Sequence, residues 1–273
     1  MAEARSPAAT VDAIDEAAAA KSNLPRSQLA VMSILGGMLI AVGALLAVVV
    51  AGSATGLQAS NPGLVRLVMG AVFPVGFIAV MLTGAGLFTS DCATQMVPWY
   101  RRRVPGLAVL AVLVVAFLAN AVGAIGLAAL GWAGGLLGPD QEWTPYLLSL
   151  AEGKVSHSWG EVFAKGILAN MLVCVAAWQA YSARSTSGKI LGIWFPVMAF
   201  VALGTEHSIA NLFFIPAAMF SGADITVAQF LTANLVPSTL GNWVGGALII
   251  GLPYAWLYST GRVGQAADAP TGH

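Results

Sequence analysis

Two ionisable residues stand side by side where charge is costly: Glu206 and His207, within Gly204-Thr205-Glu206-His207-Ser208-Ile209-Ala210-Asn211. The surrounding stretch, 190–220, is otherwise apolar apart from a few small polar residues. A carboxyl and an imidazole in such a run point to a path for ions or protons, since buried charge is rare unless it is used. The same pair could ligate a metal, but no second His or Cys pair lies at ligand spacing, and His157 falls far off in an outer loop. Ser208 is merely the chain neighbour of His207, and a nucleophile–base–acid set is an arrangement in space, not a dipeptide. No metal, no other cofactor and no enzymatic centre are expected.

A second segment, Gly84-Ala85-Gly86-Leu87-Phe88-Thr89-Ser90, also interrupts an apolar run. Two glycines weaken a helix, and the hydroxyls of Thr89 and Ser90 can satisfy backbone groups freed by a break. One reading is a broken helix whose loop lines a pore and offers the Thr89 hydroxyl to the permeant. The other is an intact helix with small residues for close packing. Spacing alone leaves both open.

The elements that position these residues must lie in a bilayer. The chain has 273 residues, 58% hydrophobic and 9% charged, against roughly 25% charged in soluble domains, so it lacks the residues for a polar shell. The 31 glycines suit membrane helices. Zero net charge gives no reason to expect a nucleic-acid partner. Cys92 and Cys174 sit in apolar stretches and read as small buried hydrophobes.

About 20 apolar residues cross a bilayer core. Runs poor in charge place six crossings, at 28–52, 67–90, 107–132, 162–181, 190–220 and 240–259. With the N-terminus in the cytoplasm, nine of the 12 Lys and Arg fall inside, and Arg66, Lys154 and Lys165 fall outside, as the positive-inside rule requires. The expected layout is a cytoplasmic segment 1–27, a six-helix membrane domain 28–260 and a cytoplasmic tail 261–273 that is short, polar and frayed. Residues 1–27 lack the early apolar run of a secretory signal. Val11, Ile14, Ala18 and Leu24 give either a weakly amphipathic helix on the membrane surface or a disordered tail.

The two chemical segments belong to a weak repeat. Asn120-Ala121-Val122-Gly123-Ala124 follows Gly84 by 36 residues, and Asn242-Trp243-Val244-Gly245-Gly246 follows Gly204 by 38. Each half would hold three crossings, and an odd number reverses direction, so the halves would be inverted. Inverted repeats with interrupted helices at matching positions point to a transport site near the midplane.

The motifs also resemble those of a known family. Lys154-Val155 with Gly166-Ile167-Leu168-Ala169-Asn170-Met171-Leu172-Val173-Cys174, the run from Pro196 through Glu206-His207 to Pro216, and Asn234-Leu235-Val236-Pro237 with Gly241-Asn242-Trp243-Val244-Gly245-Gly246 look like the fourth, fifth and sixth spans of the formate/nitrite transporters. The segment from Gly84 to Ser90 resembles that family's second-span loop, and the likeness covers roughly residues 30–258. It implies an all-α integral membrane protein with an aquaporin-like inverted 3+3 repeat of six helices, helices 2 and 5 being broken. It further implies a homopentamer in the cell inner membrane, one pore per protomer. The substrate would be a small anion such as formate, nitrite, hydrosulfide or another short monocarboxylate. By position in the motifs, His207 would be the central pore histidine, Thr89 its partner, and Asn170 its neighbour. Lys154 and Glu206 would form an outer polar network. Leu87 and Phe88 would make one hydrophobic slit, and Phe73 with Phe200 the other. Phe77, one turn from Phe73, would face the pore as well. All these aromatic residues could equally serve lipid contact or protomer packing.

Gly86 departs from the pattern, since many relatives carry an acidic residue there. Asp91, just beyond, is expected to supply that carboxylate from another position. Trp99-Tyr100-Arg101-Arg102-Arg103 suits an interfacial anchor. Mechanistically, a bare anion pays heavily to cross an apolar slit, and protonation removes most of that cost. Lys154 would gather anions, and His207 would meet them between the slits, so that proton and anion move as a neutral pair.

Overall fold

The computed structural model describes residues 4–259; the expected tail 261–273 and Arg262 lie outside them. Among the described residues the structure is helical, with one isolated bridge between Ala4 and Ala183 and no sheet. In order come α1 (Pro7–Ser22), α2 (Arg26–Gly52), the short α3 (Thr55–Ser60), α4 (Pro62–Val72), α5 (Pro74–Thr83), α6 (Phe88–Thr94) and α7 (Met96–Tyr100). Then follow α8 (Gly106–Ala133), α9 (Thr144–Ser156), α10 (Trp159–Ser182), α11 (Thr186–Ala202) and α12 (Ser208–Phe220). A last helical span, Val227–Ser259, closes the described chain.

Five helical segments are long and apolar enough to cross a membrane: α2, α4 with α5 as Pro62–Thr83, α8, α10 and Val227–Ser259. Two shorter apolar helices, α11 and α12, fill the stretch read as one long crossing. Two of the crossings start five residues or more from where the sequence reading placed them. The second segment starts at Pro62 rather than residue 67, because Asn61 caps it through its side chain and Pro62 occupies the first turn. The last starts at Val227, 13 residues before position 240. Asn234, Ser238 and Asn242 blurred the apolar pattern there, yet all three turn inward and are buried. Two π-helical stretches, Phe230–Leu235 and Val244–Gly251, lie in this span.

Close backbone packing holds the spans. A Cβ added to Gly37 of α2 would stand 2.1 Å from the Asn120 carbonyl of α8, and one on Gly241 would stand 2.3 Å from the Phe163 carbonyl of α10. Only glycine permits such approach, the usual device for packing without a hydrophobic drive between helices. Outward-facing Leu107, Leu118, Val122 and Leu130 on α8 remain exposed, as a lipid- or protomer-facing surface requires.

The N-terminal segment corrects the surface-helix expectation. Ser6 caps α1 by accepting from the Ala9 N–H, and Pro7 sets its first turn. Val11 and Ile14 are fully buried and pack in a cluster with Ala93, Val97, Cys174, Trp178, Ile250 and Ala255; Ala18 is buried too. The apolar face thus docks on protein, not on lipid. Asp15 receives Arg101 at 2.9 Å and Arg103 at 2.8 Å, which ties α1 to the turn between α7 and α8.

Candidate functional site

Two helix ends create the site. α5 stops at Thr83 because Gly84 takes a left-handed conformation (φ 78°), and Gly204 (φ 69°) follows α11 in the same way. Each loop is then clipped by an asparagine. Asn120 accepts from the Phe88 N–H (2.8 Å) and donates to the carbonyls of Gly86 (2.9 Å) and Ser33 (2.6 Å). Asn242 accepts from the Ser208 N–H (2.8 Å) and donates to the carbonyls of Glu206 (2.9 Å) and Gly166 (2.8 Å). The two sets match bond for bond. In both, a buried side-chain amide replaces the backbone ladder that the interruption removes.

These clips bring His207 and Thr89 together. His207 caps α12, its Nδ1 accepting from the Ala210 N–H at 3.1 Å. An accepting Nδ1 carries no proton, so the ring proton of the neutral imidazole lies on Nε2. That nitrogen is 2.9 Å from Thr89 Oγ1. The ring therefore donates to Thr89, whose own hydroxyl proton stays free. Asn170 sits behind this pair instead of touching the histidine: its amide donates to the carbonyls of Thr89 (3.0 Å) and Asn242 (2.6 Å).

Glu206 gathers three donors on one oxygen. Lys154 Nζ (3.1 Å), Asn211 Nδ2 (2.6 Å) and Asn234 Nδ2 (3.1 Å) all reach Oε2. Asn211 also donates to Asn234 Oδ1 at 2.7 Å, and Asn234 to the Lys154 carbonyl at 3.0 Å. A buried carboxylate is tolerable only when so satisfied.

A cavity of about 330 Å³ runs up to this cluster, lined among others by Phe73, Phe200, Phe214, Lys154, Glu206 and His207. Phe200 lies nearly parallel to the imidazole, with centroids 5.5 Å apart, and meets Phe73 edge-on at 5.6 Å. Phe214 stacks on Phe73 at 6.5 Å, a wall residue that sequence reasoning missed. Leu87, Phe88, Phe77 and Thr89 are buried and do not line this cavity. Phe88 packs on Phe117 of α8 at 5.1 Å. His157, read as remote, lines the same cavity as His207. No group of three or more metal-binding side chains occurs among the described residues.

The family model described as formate/nitrite transporter matches residues 8–256. The chain belongs to the formate/nitrite transporter family. Its members transport, so this is a multi-pass membrane protein and not an enzyme. The "Probable formate transporter" of Methanothermobacter thermautotrophicus is 40% identical over 93% of this chain and 97% of its own length. A solved structure titled as an FNT family ion channel superposes with TM-score 0.83 at 30% identity, over 90% of this chain and 98% of that one. A pentameric formate channel with formate bound gives TM-score 0.74 at 29% identity, over 86% and 98%.

Gly86 lies in a tight place beside α2. A Cβ there would stand 2.6 Å from Ser33 Oγ, so a side chain would have to displace that hydroxyl. Asp91 of α6 carries a carboxylate nearby, and both its oxygens lie 2.7 Å from Lys21 Nζ of α1. The pair is almost wholly buried. Ser22 and Gln95 add a second link beside it at 2.8 Å. Asn120, Asn211, Asn234 and Asn242 were visible in the sequence as polar residues within spans. That signal could have marked them as structural partners of the two loops.

Proposed function

We propose that this chain is a channel for a small monovalent anion, most simply formate, which it moves together with a proton. The single observation that carries the reading is the buried contact between His207 Nε2 and Thr89 Oγ1, made where two clipped loops meet at the blind end of a cavity. The matched asparagine clips support an inverted 3+3 repeat of six crossings with the second and fifth broken, α4–α5 and α6 forming one and α11–α12 the other. The pentameric formate channel among its structural neighbours supports a homopentamer with one pore per protomer. The Lys and Arg distribution supports placement in the cell inner membrane with both termini cytoplasmic.

In this reading the permeant enters by the cavity, passes the Phe73–Phe200 slit and meets His207. Neutral His207 holds its Nε2 proton toward Thr89, so the free Thr89 hydroxyl proton is the donor an anion finds beside the ring. Because Nδ1 is engaged by Ala210, the ring orients the permeant, and water delivers the proton that neutralises it. Leu87 and Phe88 form the barrier beyond, which a neutral acid crosses far more readily than an anion.

Uptake of labelled formate, nitrite and hydrosulfide into proteoliposomes, measured side by side with internal pH, tests this. Formate should enter fastest and carry acid with it. Uptake of all three at the rate of empty liposomes would overturn the proposal. Faster nitrite or hydrosulfide would reassign the substrate within the family. Passage of water or neutral solutes with no anion flux would favour an aquaporin-like pore.

A further inference from the structure

Arg66, Lys154, His157 and Lys165 line the cavity before His207, against one carboxylate, Glu206. Their charges are not equivalent. Lys154 is buried and matched to Glu206 at 3.1 Å, so the two act on a distant ion as a dipole, whose field fades faster than that of a lone charge. Lys165 pairs with no carboxylate among the described residues. Its Nζ instead sits 2.8 Å from His157 Nε2. An ammonium only donates, so His157 accepts there through an unprotonated nitrogen. The pair is a cation resting on a neutral partner, with N–H groups and positive charge left over.

The pair is also fixed in place. His157 stands just past the C-terminus of α9, and Lys165 lies in the second turn of α10. Ser158 and Glu161 form a capping box between them. The Lys165 carbonyl accepts from the Glu206 N–H at 3.4 Å, so its backbone is joined to the loop that carries His207.

We propose that Lys165 and His157 form an anion-binding station in this cavity, which takes a small carboxylate or similar monovalent oxyanion before it reaches His207. Lys165, rather than Lys154, supplies the gathering charge. The arriving anion replaces His157 as the partner of the ammonium. When His157 is protonated its Nε2 becomes a donor, and ring and ammonium together can hold both oxygens of a carboxylate. Glu161 and Lys165 on α10, Lys154 on α9 and Arg66 on α4 are the charged groups around the ring, with Glu206 across the cavity. This inference rests on the channel reading above.

Two measurements on the full chain test it. In proteoliposomes at low ionic strength, Lys165→Gln should raise the half-saturating formate concentration about tenfold with maximal uptake unchanged. The difference should vanish near 1 M salt, where charge is screened within about 3 Å. His157→Gln, which removes the other side of the station, should raise the half-saturating concentration less than Lys165→Gln does. Separately, formate titrated into labelled protein in detergent should perturb the His157 imidazole resonances saturably in the wild type and not in Lys165→Gln. If formate crosses the wild type but neither half-saturation nor the resonances depend on Lys165, the station is refuted and the channel stands. If the resonances respond while no anion crosses, the station stands and the channel reading fails.

Discussion

The link between Lys21 and Asp91 gives the sharpest energetic test of how the first loop is held. Their side chains are 13% and 4% exposed, and Nζ lies 2.7 Å from both carboxylate oxygens. Removing one partner of a buried pair costs about 3–5 kcal/mol, because a charge is left stranded. Lys21→Met strands the more buried group, so it should lose that full amount. Asp91→Asn strands an ammonium on a flexible stem that can turn to water, and should lose about 1–2 kcal/mol. The double variant strands nothing and should resemble Asp91→Asn. The coupling then equals the whole Lys21→Met loss, about 3–5 kcal/mol. Unfolding in mixed SDS micelles, followed by tryptophan fluorescence, measures all three. Additivity within about 0.5 kcal/mol would show that the pair does not anchor the loop. Moving the carboxylate back supplies a control: Gly86→Asp with Asp91→Asn should fail to recover stability unless Ser33, 2.6 Å from the new Cβ, is reduced to Gly.

His207→Phe should keep assembly and lower formate flux at every pH, since the ring that orients Thr89 and the permeant is lost; wild-type flux from well-assembled protein would remove the imidazole from the path. Lys154→Gln should lower flux by a similar factor at every salt concentration and reduce yield, since it leaves Glu206 with two amide donors in place of a cation; recovery of yield by adding Glu206→Gln checks the cause, as breaking such a pair costs about 3–5 kcal/mol and removing it whole costs far less. Phe88→Ala and Phe200→Ala should each raise acid flux modestly, and the pair together should open a leak to water that osmotic swelling detects. Lost protein yield without a leak would instead assign both rings to packing, where Phe→Ala costs about 3–5 kcal/mol.

The site was legible where chemistry is expensive and opaque where it is cheap. Glu206 and His207 stood out because two ionisable groups in an apolar run demand a reason. Gly84 and Gly204 stood out because glycine weakens a helix, and both take the left-handed conformation that ends one. The asparagine clips were half visible, as a repeated spacing without a known task. Lys21 and Asp91 could not be paired by reading, since they are 70 residues apart and α1 gave either a surface helix or a tail. Lys165 was seen only as a charge near the end of a span, and His157 as a loop residue; their contact arises from the turn between α9 and α10, which no periodicity reports.

The bonding around His207 also limits how tightly anything can be held there. The N-terminus of α12 turns its positive end toward the site, which favours an anion. Yet the N–H groups of Ser208 and Ala210 are already taken, by Asn242 Oδ1 and by His207 itself. One oxygen of Glu206 is likewise taken by Lys154, Asn211 and Asn234, and His207 Nε2 faces Thr89. An anion arriving at this point meets a favourable field and the hydroxyls of Thr89 and Ser208, with two of the nearby backbone N–H groups already engaged. A nest of free N–H groups would bind it tightly and stop the flow. A path must bind well enough to admit its ion and weakly enough to release it. Engagement of these two N–H groups is therefore part of the transport device: it keeps the start of α12 from becoming a closed nest for the anion.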